Sequence, residues 1–300
     1  MSARNATARA VAAAAALCAV LGARAASADE PRARAERVEL RHDLRVDVPV
    51  TIGIATGLVA YTLFLRHDLQ PSSCRWCDGS RPDGVNAVDR FFRDALVRDD
   101  VRPASFASNV LSYGVAPVAT GVLLSLASND VGQSKNALLD LLLVAQTSLI
   151  AVSIDEAVKA ATLRERPSVH RNVDDEAHAR EANKVGSLHS FPAGHTLSVF
   201  ALTSAAGTIA SMRRYPLAPL IWIAGSMLGV AASYLRIAAD QHYFSDTLAG
   251  AAIGVVVGAG IPWLFHRPVA SDARASWLRR ATLTTQPTLS GRTVSLAVAF

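Results

Sequence analysis

Three hundred residues carry a net charge of +5, with 51% hydrophobic and 6% aromatic residues, enough for one large helical domain or two small ones. The mean hydropathy of +0.25 lies between a typical soluble protein and a densely membrane-embedded one. No basic run is interleaved with aromatics, which speaks against nucleic acid as a partner. An anionic membrane surface or an anionic substrate fits the charge.

Residues 1–28 read as a secretory signal peptide. Arg4 and Arg9 form a basic start, residues 11–21 an apolar core, and Ala26-Ser27-Ala28 a small-residue cleavage site. The alternative is an uncleaved anchor helix, for which the apolar core is short. Cys18 leaves with the signal, and the mature chain is then expected outside the cytoplasm, in a periplasm. A charged lead-in follows, and then an apolar run at 48–65 long enough to span or nearly span a bilayer. The polar stretch 66–103 contains Cys74-Arg-Trp-Cys77. Two cysteines in an exported chain most simply form a local disulfide. A redox pair is the alternative, but no thioredoxin-like βαβ pattern surrounds it, and two thiolates are too few for zinc.

Four or five further apolar segments lie at about 107–127, 137–158, 196–212, 217–235 and 247–265. Their length, alanine content and short polar turns predict helices, with antiparallel neighbours across the turns at 128–136 and 213–216. The expected fold is all-α: an antiparallel, membrane-associated bundle of about six long helices behind the signal peptide. The boundaries are 1–28 for the signal, 29–106 for the lead-in, first apolar helix and cysteine loop, 107–267 for the bundle, and 268–300 for a polar tail. Residues 294–300 alternate as a short terminal strand would. No repeat is evident.

Three polar islands interrupt the apolar helices. The first is Lys159 to Arg166-Pro167; its cations are seven apart, on one helical stripe, with Pro167 disfavouring helix at Arg166. Its plain reading is two cations complementing a helix C-terminus, with Asp155 paired to Lys159. The second, Ser190-Phe-Pro192-Ala193-Gly194-His195, opens a helix. Pro192 suits the first turn, Ser190 or a neighbour is the cap, and free N–H groups at Ala193, Gly194 and His195 make a phosphate cradle. The third runs from Arg236 to Asp246. His242 and Asp246 are four apart, one turn of a helix, so that a carboxylate supports an imidazole, while Arg236 offers a planar donor fork for phosphate. Taken alone this island also reads as a polar turn capped by Asp240 or Ser245. Helix direction brings all three islands to one end of the bundle.

These residues resemble the type-2 phosphatidic acid phosphatase superfamily, which also includes class A acid phosphatases and vanadium haloperoxidases. Its motifs K-x6-RP, PSGH and SR-x5-H-x3-D appear as Lys159…Arg166-Pro167, Pro192-Ala-Gly194-His195 and Arg236…His242…Asp246, over roughly residues 107–265. Ala193 replaces the motif serine, keeping only the backbone donor, and Leu235 replaces the serine before Arg236. The resemblance implies a metal-independent phosphatase without a cofactor. His242 attacks phosphorus, Asp246 orients and charges it, and His195 protonates the leaving group and then activates water. Lys159, Arg166, Arg236 and the Gly194 and Ala193 amides bind phosphate. It further implies a phosphorylated substrate, expected to be a lipid. The six apolar segments suggest an inner-membrane enzyme, and positive-inside counting of Arg213-Arg214 and the arginine-rich tail turns the three motifs to the periplasm. The alternatives are a soluble periplasmic acid phosphatase, a vanadium-dependent haloperoxidase, or a non-catalytic phosphate-binding protein.

Overall fold

The computed structural model describes residues 38–66, 73–77, 85–170 and 186–269, with the backbone of two strands at 281–288 and 291–298. The expected signal peptide lies outside these residues.

Seven α-helices follow one another along the described chain. Helix α1 (Leu44–Ala60) is capped by the Asp43 carboxylate, which accepts from the Arg45 amide, and ends in a π-helical turn at Tyr61–Leu65. A short helix α2 (Ala87–Leu96) is capped by Asn86, whose side-chain oxygen accepts from the Asp89 amide at 2.9 Å. Helix α3 (Arg102–Asp130) runs through a π-helical turn at Leu111–Val115. Then come α4 (Ala137–Thr162), α5 (Gly194–Met212), α6 (Ala218–Ala238) and α7 (Phe244–Phe265). The tail forms an antiparallel hairpin of β1 (Ala281–Thr288) and β2 (Gly291–Val298). The six long helices are those expected from the apolar segments. Helix α2 lies in the stretch read only as a polar loop, and the terminal strand has a partner that the alternation at 294–300 did not reveal.

Among the described residues, five helices are long and apolar enough to cross a membrane: Leu44–Leu65, Arg102–Asp130, Ser134–Thr162, Ala218–Ala238 and Phe244–Phe265. Their outward faces carry large apolar side chains in the open, among them Phe64 (71%), Phe106 (71%), Leu138 (80%) and Val256 (70%). Large apolar side chains left open along helices of this length are matched to lipid and costly against water. These features support a membrane protein.

Helix α5 is not one of the five, and its burial gives the reason. Thirteen of its residues are buried, including Thr196, Thr203, Ser204 and Thr208. A helix enclosed by protein has no need of an apolar outer face, and its hydroxyls find acceptors inside: Thr203 Oγ1 donates to the Val199 carbonyl at 2.9 Å. Close packing brings α7 against it. A side-chain carbon added at Gly254 would stand 2.6 Å from the Leu197 carbonyl oxygen, so only glycine permits the approach.

The far end of the bundle, away from the three islands, is tied by a buried ion pair. Arg213 donates to Asp140 Oδ1 at 2.7 and 3.0 Å, and the Tyr215 hydroxyl donates to Asp140 Oδ2 at 2.8 Å. Arg213 also donates to the Val38 carbonyl at 2.8 Å, just before α1. The start of α1 and the α5–α6 turn therefore share that end, and α1 finishes with Arg66 at the end that holds the islands.

Candidate functional site

The three islands converge where α4 ends, α5 begins, α6 ends and α7 begins. Helix α4 stops at Thr162, four residues before Arg166, because Leu163 turns into the left-handed region (φ 46°). Residues 163–165 then lie alongside the cysteine loop. The Arg75 amide donates to the Leu163 carbonyl at 3.3 Å, and the Glu165 amide to the Trp76 carbonyl at 3.2 Å. Lys159 and Arg166 consequently do not share a helical stripe: one stands on the helix and the other on the strand-like segment beyond it. Cys74 and Cys77 are joined by a disulfide, closing the loop that presents Trp76 to this segment.

Lys159 Nζ lies 2.5 Å from Asp155 Oδ2 and 3.6 Å from Glu156 Oε1, so its charge is compensated within its own helix. Arg166 and Arg236 differ. Arg166 Nη1 donates to Gln241 Oε1, which Arg236 Nη2 also approaches at 3.5 Å, and Arg236 Nη1 reaches Ser108 Oγ at 3.3 Å. Nε of both arginines is buried without a hydrogen-bond partner among the described residues. Burial, and then the neighbouring Arg66 guanidinium, push the Arg166 pKa down from its ordinary value. One neutral amide oxygen thus serves two buried guanidinium groups. An anionic oxygen would be a stronger acceptor for both.

The start of α5 modifies the expected cradle. No side chain caps this helix, so the amides of Gly194, His195 and Thr196 have no intrahelical acceptor. The Ala193 amide, expected to hold phosphate, instead donates to the Asp246 carbonyl at 3.0 Å. Pro192 stands before the helix rather than in its first turn, and the Ser190 hydroxyl donates to Asp246 Oδ2 at 2.6 Å instead of capping. Gly194 faces Lys159 closely: an added side-chain carbon would lie 2.6 Å from Nζ.

His242 precedes α7 and Asp246 lies in its first turn, so the two do not share a helical face as their spacing suggested. The His242 Nδ1 position is 2.7 Å from the Ser190 carbonyl oxygen and 3.8 Å from Asp246 Oδ2. The carbonyl is therefore the acceptor that fixes Nδ1–H and leaves Nε2 with its lone pair. Asp246 acts from beyond hydrogen-bond distance, and through Ser190. Burial, reinforced by Arg236, Arg166 and Lys159, holds the His242 pKa well below the imidazole range. His242 is accordingly neutral at neutral pH, with the Nε2 lone pair free of the Nδ1 hydrogen bond. Asp240, read as a simple cap, takes a left-handed conformation (φ 53°) and receives two hydrogen bonds from Arg93.

His195 stands on α5 with Nε2 2.7 Å from Asn109 Oδ1, to which it donates with the amide in that orientation. The Tyr113 ring is tilted over it at 4.9 Å. Ser108, Asn109 and Tyr113 all come from the stretch of α3 around its π-helical turn, a deformation frequent at functional sites. These contacts were not legible in the sequence, and neither were Gln241, Arg164 or Asp89. Arg66 was also missed; its Nη2 lies 3.1 Å from His189 Nδ1. Burial and the Arg66 charge lower the His189 pKa to about 4, so His189 accepts that hydrogen bond as a neutral ring.

Two histidines and three cations thus meet at one end of the described helices, where buried guanidinium groups and the free amides at the start of α5 converge. The family model described as the PAP2 superfamily matches residues 137–269, which carry all three motifs. Among solved structures, the chain is similar to "Crystal structure of the first transmembrane PAP2 type phosphatidylglycerolphosphate phosphatase from Bacillus subtilis". The two are 15% identical, with a TM-score of 0.40, over 72% of this chain and 94% of that one. No curated protein matches the chain.

Proposed function

We propose that the protein hydrolyses the phosphomonoester or pyrophosphate of a lipid through a phosphohistidine on His242, without a metal ion. The observation that carries this reading is His242 itself, a buried neutral imidazole held at Nδ1, with Arg166 and Arg236 close enough to lower its pKa and their Nε groups without a hydrogen-bond partner among the described residues. In the first step His242 Nε2 forms a bond to phosphorus while the P–O bond to the leaving group breaks. His195 gives that oxygen a proton. In the second, His195 takes a proton from water, the hydroxide attacks phosphorus, the N–P bond breaks and inorganic phosphate leaves. Lys159, Arg166, Arg236 and the Gly194 amide hold the phosphoryl oxygens and stabilise the charge of the transition state.

The lipid character of the substrate is supported by the apolar exterior of the helices that frame the site. Purified protein is expected to release phosphate from lipid phosphates faster than from a generic aryl phosphate, in a colorimetric release assay. The reverse order would favour a non-specific acid phosphatase. Peroxide-dependent halide oxidation with added vanadate would favour the haloperoxidase.

We further propose that the site faces the periplasm. Arg41, Arg214 and Arg267 belong to the opposite end, where Arg41 and Arg267 are joined by a backbone hydrogen bond, and positive charge favours the cytoplasmic side. This orientation starts α1 on the inner side, which a cleaved export signal at 1–28 would not allow, so the two expectations exclude each other. A cysteine introduced at Asp99 is expected to react with a membrane-impermeant maleimide in intact cells. Labelling only after lysis would reverse the orientation.

A further inference from the structure

A buried charge network lies beneath His242 and joins Asp246 to residues outside the motif positions. Arg164 is fully buried between two carboxylates, with Nη2 2.9 Å from Asp89 Oδ2 and Nη1 2.6 Å from Asp246 Oδ1. Nη1 also reaches Ser245 Oγ at 2.7 Å, and the guanidinium lies against the rings of Trp76 (4.1 Å) and Tyr243 (4.3 Å). Asp89 comes from α2, outside residues 137–269. It accepts the Ser245 amide at 2.7 Å, the Ser245 hydroxyl at 2.6 Å and the Asn86 amide nitrogen at 2.6 Å. Ser245 is in the first turn of α7, so Asp89 caps that helix from a different one. Burial alone would raise the Asp89 pKa, but the hydrogen bonds from Ser245, Arg164 and Asn86 outweigh it and hold the carboxyl below its ordinary value.

Helix α2 grips the same loop at two more points. Arg93 donates to Asp240 at 2.8 and 3.0 Å and to the Pro167 carbonyl at 2.9 Å, and Phe92 stacks on Phe244 at 3.9 Å. Both ends of the segment 240–246 are thereby fixed to α2.

We propose that Asp89 is a positioning residue for His242, acting through Arg164, Asp246 and Ser190. The contacts form one continuous path: Asp89 holds Arg164, Arg164 holds Asp246, and Asp246 Oδ2 receives the Ser190 hydroxyl and the Tyr243 amide, at 2.6 and 2.9 Å. Ser190 then presents its carbonyl to His242 Nδ1. The path sets the Nδ1–H tautomer and ring orientation that leave Nε2 available, in the way that groups behind a reactive imidazole fix its geometry. The inference rests on the reading of His242 as the nucleophile.

The test is Asp89→Asn, an isosteric change, read by 15N NMR of histidine-labelled protein in detergent and by steady-state kinetics. The parent is expected to show a single Nδ1–H tautomer for His242, assigned by comparison with His242→Gln. Asp89→Asn is expected to give a mixture of tautomers and a kcat lower on the order of 100-fold, as for a small misplacement of a reacting group. KM should stay within about threefold, because the phosphate-binding cations are untouched. Ser245→Ala, which removes one hydroxyl from the network, is expected to shift the tautomer in the same direction with a smaller loss of turnover. An unchanged tautomer in both variants overturns the proposal, whatever happens to turnover, since it leaves Asp89 a role in stability alone. The tautomer is read without substrate, so absence of turnover in the parent bears on the proposed function and not on this one.

Discussion

Alanine in place of His242 is expected to stop phosphate release, lowering kcat by about 10⁴-fold or more, the scale on which loss of a nucleophile acts. Among the described residues the side chain makes one hydrogen bond, to the Ser190 carbonyl, and losing it costs about 1–3 kcal/mol. The fold should therefore survive. Lys159, Arg166 and Arg236 remain in place, so the variant should still bind vanadate or phosphate with close to the parent affinity. A stopped-flow or isotope-trapping experiment should detect no phosphoenzyme in it. Turnover retained by purified His242→Ala would remove His242 from the nucleophile's role, and His195 would then be the imidazole to examine.

Arg164→Met should be the most damaging substitution for stability. The methionine fills much of the space but leaves Asp89 and Asp246 facing each other with no cation between them. Breaking a buried ion pair from one side costs about 3–5 kcal/mol, because the remaining charge is uncompensated. Thermal unfolding in detergent should shift down by roughly 10 °C. Combining it with Asp89→Asn and Asp246→Asn, which remove both charges, should recover a large part of that loss. A single Arg164→Met variant that melts with the parent would mean that the two carboxylates take up protons at no appreciable cost. The Asp89–Arg164 bridge would then have no energetic weight.

The residues that could be read from the sequence share a physical trait. Lys159, His195, Arg236, His242 and Asp246 are polar groups set into runs that are otherwise apolar, and such a residue needs a reason to be there. Helix count and direction followed from segment length and short turns, which brought the three islands to one end. Arg164 escaped because it occupies a spacer position between Lys159 and Arg166, and its significance depends on Leu163 reversing the chain so that the side chain turns inward. Asp89, Phe92, Arg93 and Leu96 have the spacing of one helical face, but over only ten residues in a polar stretch the pattern is brief. The partners of that face lie some 150 positions away in Asp240 and Ser245. Ala193 shows a third kind of limit. The helix start was evident, but nothing local indicates that the Asp246 carbonyl turns back to accept its amide. The π-helical turn that brings Asn109 and Tyr113 to His195 likewise has no marker in the residue pattern.

The enclosed position of α5 carries a consequence for how the protein is made. A segment rich in threonine, serine and glycine gains little by entering hydrocarbon alone, since each unsatisfied polar group in that medium costs several kcal/mol. It becomes favourable only when α4, α6 and α7 are present to surround it. Insertion of this segment is therefore a cooperative event, completed late and with its successors, and a nascent chain ending just after Met212 should leave it stranded at the translocon exit. The helix that opens with Gly194 and His195 is thus the last to find its medium, and the site comes into being only when the bundle closes around it.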